Sequence, residues 1–373
     1  MVQSVAITGT GVYVPPEVIN NKELVDCFNH YVAAFNETNK EAIAAGECEP
    51  LQESSDAFIV KASGIKQRHV ITREGVLDPC DMVPHLPQRS REEGTWQKEF
   101  SCAAAEGALK EAGIMPGDID GVIMTCSNVE RPFPSIAIEV QEAMGIKGFG
   151  FDMNVACSSA TFALVNAKAL IQSGMAKRIL IVNPELASPM IDYRVRDNHF
   201  IFGDAASAMV VESADVCAGD QGFTIGSEQL VTQYSENIRS EFGFLNQWGS
   251  NLGKRVPFFI QEGRKVFKEV VPMVENHIRQ HLKKVGKDIK SVARFWLHQA
   301  NANMNTLIMQ RLLGDELEEK RAPQVLAHYA NTGSAGSIIA FHENKNDLTQ
   351  GDLGVLCSFG AGYSIGSLLL EKR

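Results

Sequence analysis

Three residues far apart in this 373-residue chain make one chemical set: Cys157, His298 and Asn331. Cys157 lies in Phe151-Asp-Met-Asn-Val-Ala-Cys-Ser-Ser-Ala-Thr-Phe162. That stretch reads as a short apolar strand, a tight turn at Ala156-Cys157 and a long helix of small and apolar residues. At the helix N-terminus, free N–H groups and the dipole favour a thiolate over a thiol. His298 ends the apolar run Phe295-Trp-Leu297, and Asn331 ends residues 325–330; both are read as strand ends. A thiolate can take an acyl group from a thioester. Two neutral donors can hold a developing enolate oxygen, each worth roughly 100–1,000-fold in rate when preorganised. Glycines in Ser358-Phe-Gly-Ala-Gly-Tyr363 let a backbone N–H approach an acyl carbonyl closely.

Each residue alone has a plainer reading. A free cysteine is usually a small buried hydrophobe. Cys27, Cys102, Cys126, Cys217 and Cys357 are read so, with Cys48 and Cys80 at the surface. Asn331 before Thr-Gly fits a turn or a helix cap. The set gains weight from a faint duplication. Gly117–Asn128 resembles Lys287–His298, with Asp118 and Asp288 170 residues apart; Cys157 and Asn331 are 174 apart. Two similar α/β halves bring equivalent strand ends side by side, so their loops can share one site.

The elements that must position the set alternate between helical and strand patterns, which points to an α/β class. Residues 2–14 read as a strand into a Gly-rich turn; Pro15-Pro16 argues against a dinucleotide loop at Gly9-Thr-Gly11. Asn21 is read as the cap of a helix bearing Leu24, Phe28, Tyr31, Val32 and Phe35 on one face. Residues 54–71 read as helix, Gly64 break and strand, and 74–98 as a long Pro-containing loop. A helix is expected from about Thr95 to Ala112, strands at 121–126 and 178–184, and a turn and another strand within 200–211. The composition shift at Ser213–Asp220 places a boundary between an N-terminal half, 1–215, and a C-terminal half, 216–373.

A formal charge of −10 argues against a nucleic-acid binder. No apolar run is long enough to span a bilayer, and the first residues lack the basic and cleavage regions of a signal peptide. Eight cysteines without a CxxC suggest reduced thiols in the cytoplasm and no metal site.

Six motifs in order span nearly the whole chain: Ser54-Ser-Asp-Ala-Phe-Ile-Val…Gly64-Ile-Lys-Gln-Arg-His69, Ala156-Cys157, Ile201-Phe-Gly-Asp204, His298-Gln-Ala-Asn301, Ala330-Asn-Thr-Gly-Ser-Ala335 and Phe359-Gly-Ala-Gly-Tyr…Gly366-Ser367. As a set they resemble β-ketoacyl-acyl-carrier-protein synthase III. The resemblance implies a thiolase fold of five layers, αβαβα, and a homodimer without cofactor. It implies that an acyl-CoA acylates Cys157. His298 and Asn331 then support decarboxylation of malonyl-acyl carrier protein, and the carbanion attacks the acyl-enzyme. It makes the N–H groups of Cys157 and Ala361 the acyl oxyanion hole, Ala361 standing where glycine is usual.

The resemblance further assigns Arg196 and Phe58 to CoA, Phe133 to the partner's acyl pocket, and Lys268 and Arg311 to the carrier protein. Departures stand at three places. Phe58 replaces a tryptophan, Ala62 a CoA-binding arginine and Asn303 a carrier-protein arginine. Extra length near residues 30–53 and 74–98 resembles longer members that accept medium-chain acyl-CoA. The alternative is a head-to-head acyl-CoA condensing enzyme or a secondary-metabolite ketosynthase. In the former a glutamate is expected where Phe133 stands.

Overall fold

Asn20 and Glu23 close a reciprocal capping box at the head of the first long helix, each accepting the other's backbone N–H at 3.0 Å. The cap is thus Asn20, one residue earlier than expected. Asn21 instead turns inward, its amide donating to Asp56 and to the Ile65 carbonyl at 2.8 Å each. The computed structural model describes residues 3–217, 221–241 and 259–373. Met1, Val2 and residues 218–220 of the expected boundary lie outside the described residues.

In chain order the strands are β1 (Val5–Tyr13), β2 (Glu17–Asn20), β3 (Gln67–Val70), β4 (Gly121–Thr125), β5 (Phe149–Met153), β6 (Arg178–Glu185) and β7 (Ala205–Ser213). They continue as β8 (Phe223–Ser235), β9 (Ile238–Arg239), β10 (Ile260–Gln261), β11 (Val292–Leu297), β12 (Leu353–Gly360) and β13 (Gly362–Lys372). The helices are α1 (Asn21–Thr38), α2 (Lys40–Ala44), α3 (Asp56–Ser63), α4 (Trp96–Ala112) and α5 (Ile136–Met144). After them come α6 (Ser159–Gln172), α7 (Gly263–Lys284), α8 (Ala302–Leu313), α9 (Leu326–Tyr329) and α10 (Ala335–Glu343).

Nine strands hydrogen-bond in the order β11-β12-β13-β8-β1-β7-β6-β4-β5. The junction is narrow: β1 meets β8 through Ala6–Thr224 and Ile7–Phe223. On either side the pattern repeats, two antiparallel pairings and then a parallel one. β5 extends one side alone.

Three apolar clusters separate the layers. α4 and α5 cover one sheet face around Phe100, Val122 and Leu180. α6 and α10 lie between the two sheet halves, around Leu164, Ile339 and Trp296. α7 and α8 cover the other face around Val274, Phe295 and Leu312. This is the αβαβα order. It places the N-termini of α6 and α10 in the middle layer, where they can face one site.

The extra residues after α1 are clipped back onto it. Asn36 exchanges two hydrogen bonds with Leu51, and Asn29 two with Ser54. Among the described residues no helix is long and apolar enough to cross a membrane.

Candidate active site

Cys157 sits on a single 3-10 turn, Ala156–Ser158, between β5 and α6. Ala156 enters it with φ +46°, a left-handed conformation that alanine rarely adopts. Side chains hold the turn from both ends. Asn154 Oδ1 accepts the Ala156 N–H at 2.8 Å, and Ser159 Oγ donates to the Ala156 carbonyl at 2.7 Å. Ser158 Oγ donates to the Ser364 carbonyl at 2.9 Å, fixing the turn to β13.

Gly360, the last residue of β12, lets the cysteine lie against the strand. A side-chain carbon there would stand 2.6 Å from Cys157 Cβ and 3.1 Å from its sulfur. The backbone N–H groups of Cys157 itself and of Ala361 favour the charged form of the sulfur. Ala361 keeps an ordinary negative φ, so alanine supplies the N–H as well as glycine would.

The expected thiolate is not what this setting favours. Burial pushes the Cys157 thiol up to about 12, and the Glu185 carboxylate adds to it; the two N–H groups only partly offset this. Desolvation outweighs the helix end because a thiolate loses more hydration than two N–H groups restore.

His298 follows β11 directly, its N–H donating to the Cys357 carbonyl of β12 at 2.8 Å. Asn305 holds its carbonyl at 2.9 Å, and its ring stands edge-on to Phe359, centroids 5.4 Å apart. Phe359 neighbours Gly360, so His298 and Cys157 share one end of β12. Burial lowers His298 to about 4, so the ring is neutral near pH 7. Its Nδ1 is buried without a partner among the described residues.

Asn331 does not end a strand. Residues 326–329 form the short helix α9, which Ala330 breaks at φ +57°, ψ −160°. By its place in the chain this stretch is the counterpart of β5. Ala156 and Ala330 therefore match, each strained and each followed by a candidate residue. Such a conformation costs of order 1–3 kcal/mol. Asn331 is held by its own N–H to Ile201 at 3.0 Å and by its carbonyl, which accepts the Gly203 N–H at 3.1 Å. Its Oδ1 accepts the Gly333 N–H at 3.0 Å, which leaves the amide NH2 as the free donor. Gln299 joins the two donors' neighbourhoods: its side-chain Oε1 accepts the Val325 N–H at 2.9 Å, and Gly336 of α10 lies against its side chain.

The sequence matches the description 3-oxoacyl-[acyl-carrier-protein (ACP)] synthase III over residues 151–233 and the C terminal of that family over 282–372. It is 54% identical over 350 residues to the beta-ketodecanoyl-[acyl-carrier-protein] synthase of Pseudomonas aeruginosa, covering 94% of this chain and 100% of the relative. The chain belongs to the 3-oxoacyl-[acyl-carrier-protein] synthase III family.

A beta-ketoacyl-[acyl-carrier-protein] synthase III of Brucella anthropi is 29% identical over 326 residues, 87% of this chain and 93% of that one. The crystal structure of the 3-oxoacyl-[acyl-carrier-protein] synthase III of Aquifex aeolicus superposes with a TM-score of 0.76 at 25% identity, covering 98% and 99% of the two chains. This synthase III is a condensing acyltransferase of fatty acid biosynthesis with the thiolase fold.

Its other candidate residues separate into groups. Phe58 on α3 and Arg196 are brought together, the guanidinium 3.9 Å from the ring centre, and Arg196 Nε donates to the Glu53 carbonyl at 2.7 Å. Phe133 is 78% exposed on the loop before α5. Lys268 on α7 and Arg311 on α8 are exposed, with Arg311 3.6 Å from Glu275. Asn303 ties α8 to α3 through the Lys61 and Ala62 carbonyls. Among the described residues no cluster of histidine, cysteine and carboxylates can hold a metal.

Burial holds four histidines, His199, His277, His281 and His298, at about 4. The unfolded chain, with ordinary histidines, takes up their protons first as pH falls below about 6.5. Stability should therefore fall on acidification. Thermal melts at pH 7.5, 6.5 and 5.5 should give a decreasing melting temperature; a flat series would contradict it. At lower pH the buried carboxyls Glu185 and Asp204, whose pKa values are raised, bind protons in the folded state and flatten the slope.

Proposed function

We propose that this synthase transfers a medium-chain acyl group from acyl-CoA to Cys157 and condenses it with malonyl-acyl carrier protein. The observation that carries the reading is the Cys157 sulfur lying against the Gly360–Ala361 backbone, whose Ala361 N–H, with that of Cys157, can serve the acyl oxygen beside the sulfur. An open surface depression of about 470 Å³ lies beside this turn, lined by Val155, Ala156, residues 232–234 and residues 361–364.

Acylation forms a carbon–sulfur bond at Cys157 and breaks that to CoA; the thiol proton leaves with CoA. His298 and the Asn331 amide then donate to the malonyl thioester oxygen. Carbon dioxide departs, the enolate attacks the acyl carbon, and Cys157 leaves as a thiolate that takes up a proton from solvent. Residues 1–215 supply the nucleophile and 216–373 the two donors.

Chain length rests on the 54%-identical relative named for a beta-ketodecanoyl product. A ten-carbon product made by two-carbon extension needs an eight-carbon primer. CoA is held between Phe58 and Arg196, the adenine exchanging their mutual contact for stacking on both. Lys268 and Arg311 dock the acidic carrier protein.

The protein acts in the cytoplasm as a homodimer. β5 is the edge strand of the main sheet and has no buried residue; its own Phe151 is exposed, as are Ile138 of α5 and Phe133. A partner covering this edge would bring Phe133 to its acyl pocket. Purified protein offered malonyl-acyl carrier protein should condense octanoyl-CoA at least tenfold faster than acetyl-CoA. Preference for acetyl-CoA would reject the chain-length assignment.

A further inference from the structure

We propose that Glu185 is a positioning residue that holds both the Cys157 turn and the Asn331 turn. It ends β6 and is fully buried. Its carboxylate accepts the Ser334 N–H at 2.8 Å and Oγ–H at 2.6 Å. From the other side it accepts the Ser127 N–H at 3.0 Å and Oγ–H at 3.2 Å. All four partners are neutral donors, and no cation pairs with it among the described residues. A buried carboxylate without a counter-charge is costly. In a condensing enzyme it stands where two halves meet.

Each arm leads to one strained alanine. Toward the C-terminal half, Gly333 lies directly on the carboxylate: a side-chain carbon there would stand 2.6 Å from Glu185 Cδ. The Gly333 N–H fixes the Asn331 amide, and Ala330 precedes it. Toward the N-terminal half, the Ser127 carbonyl accepts the Asn154 amide at 2.9 Å, and Asn154 in turn holds the Ala156 N–H. One carboxylate therefore braces the turn before the nucleophile and the turn bearing a donor. Its charge also acts on Cys157, and on Cys126 at the end of β4. Asp152 of β5 is the other anion acting on Cys126. Asp204, beside the β7 partner of Glu185, is turned to Ile71, Ala187 and Ser188. No catalytic contact with substrate is needed for this role.

The Asn331 part of this inference rests on the function proposed above; the cysteine part does not. Glu185→Gln removes the charge, and Glu185→Asp keeps it but withdraws the brace by one methylene. The pH midpoint of iodoacetamide alkylation at Cys157 should fall by about half a unit or more in Glu185→Gln and stay in Glu185→Asp, since the thiolate is the reacting form. Glu185→Asp should slow octanoyl adduct formation, because the Cys157 turn loses its brace too, and should lower condensation further, by about tenfold or more. Melting temperatures control for folding. If Glu185→Gln does not fold, Ser334→Ala gives the positioning test, with condensation again falling ahead of adduct formation. An unshifted Glu185→Gln midpoint, or Glu185→Asp condensing at the wild-type rate, would overturn the inference. A wild type that alkylates but takes no octanoyl group rejects the proposed function instead.

Discussion

Cys157→Ala will gain no mass when exposed to octanoyl-CoA, whereas the wild-type chain will gain one octanoyl group. The Ser158 and Ser159 hydroxyls at the same turn are engaged with the Ser364 and Ala156 carbonyls, which leaves the sulfur as the group to form the bond. Overall condensation should fall by about 10⁴-fold or more, as for other enzymes stripped of a nucleophile. The donors His298 and Asn331 stand on other elements and stay in place. Cys157→Ala should therefore still release carbon dioxide from malonyl-acyl carrier protein, uncoupled from condensation. Intact-protein mass spectrometry reads the first outcome and labelled carbon dioxide the second. An octanoyl adduct on the variant, or an unmodified wild type, would remove the covalent step.

His298→Ala should divide the reaction the other way. The ring is neutral near pH 7 and buried, so it serves as a donor without charge. Acyl transfer from CoA uses the backbone N–H groups at the sulfur and should persist within a few-fold. Condensation should fall by roughly 100–1,000-fold, the usual loss for one preorganised oxyanion donor. Because His298 ionises at about 4, the wild-type condensation rate should show no histidine limb near pH 6.5. Loss of acylation in this variant would mean that His298 also removes the Cys157 proton. Single-turnover acylation and condensation, measured on the same protein, separate the two.

Much of this site is legible in the chain because the residues that carry it have distinctive chemistry. Cys157 before a run of small residues and His298 after Phe295-Trp-Leu297 declare both their type and the end of their element. Asn331 was legible as a residue and not as a place. Residues 325–330 have strand-like content, yet they turn into α9, because Ala330 takes a conformation that nothing in an alanine announces. The same holds for Ala156. The N-cap at Asn20 was off by one because Asn20 and Asn21 have equal capping chemistry, and only Glu23 in register decides between them. Charge state misled for a related reason. The helix end is local, but the burial that raises the Cys157 thiol comes from β12 and β13, two hundred residues away in the chain. Glu185 carries no mark in the sequence: it is one glutamate among many, and its role comes from Ser127 and Ser334, on either side of it in the chain.

The two N–H groups at the Cys157 sulfur belong to the main chain. One is the nucleophile's own and the other belongs to a residue that is already alanine. A systematic alanine scan would pass over both and score this part of the apparatus as empty. Position 361 is correspondingly free to drift among residues of ordinary φ, while position 360 is not, since any side chain there strikes the cysteine. What must be inherited here is a path of the backbone, and divergence in side-chain letters around it is a poor measure of divergence in chemistry.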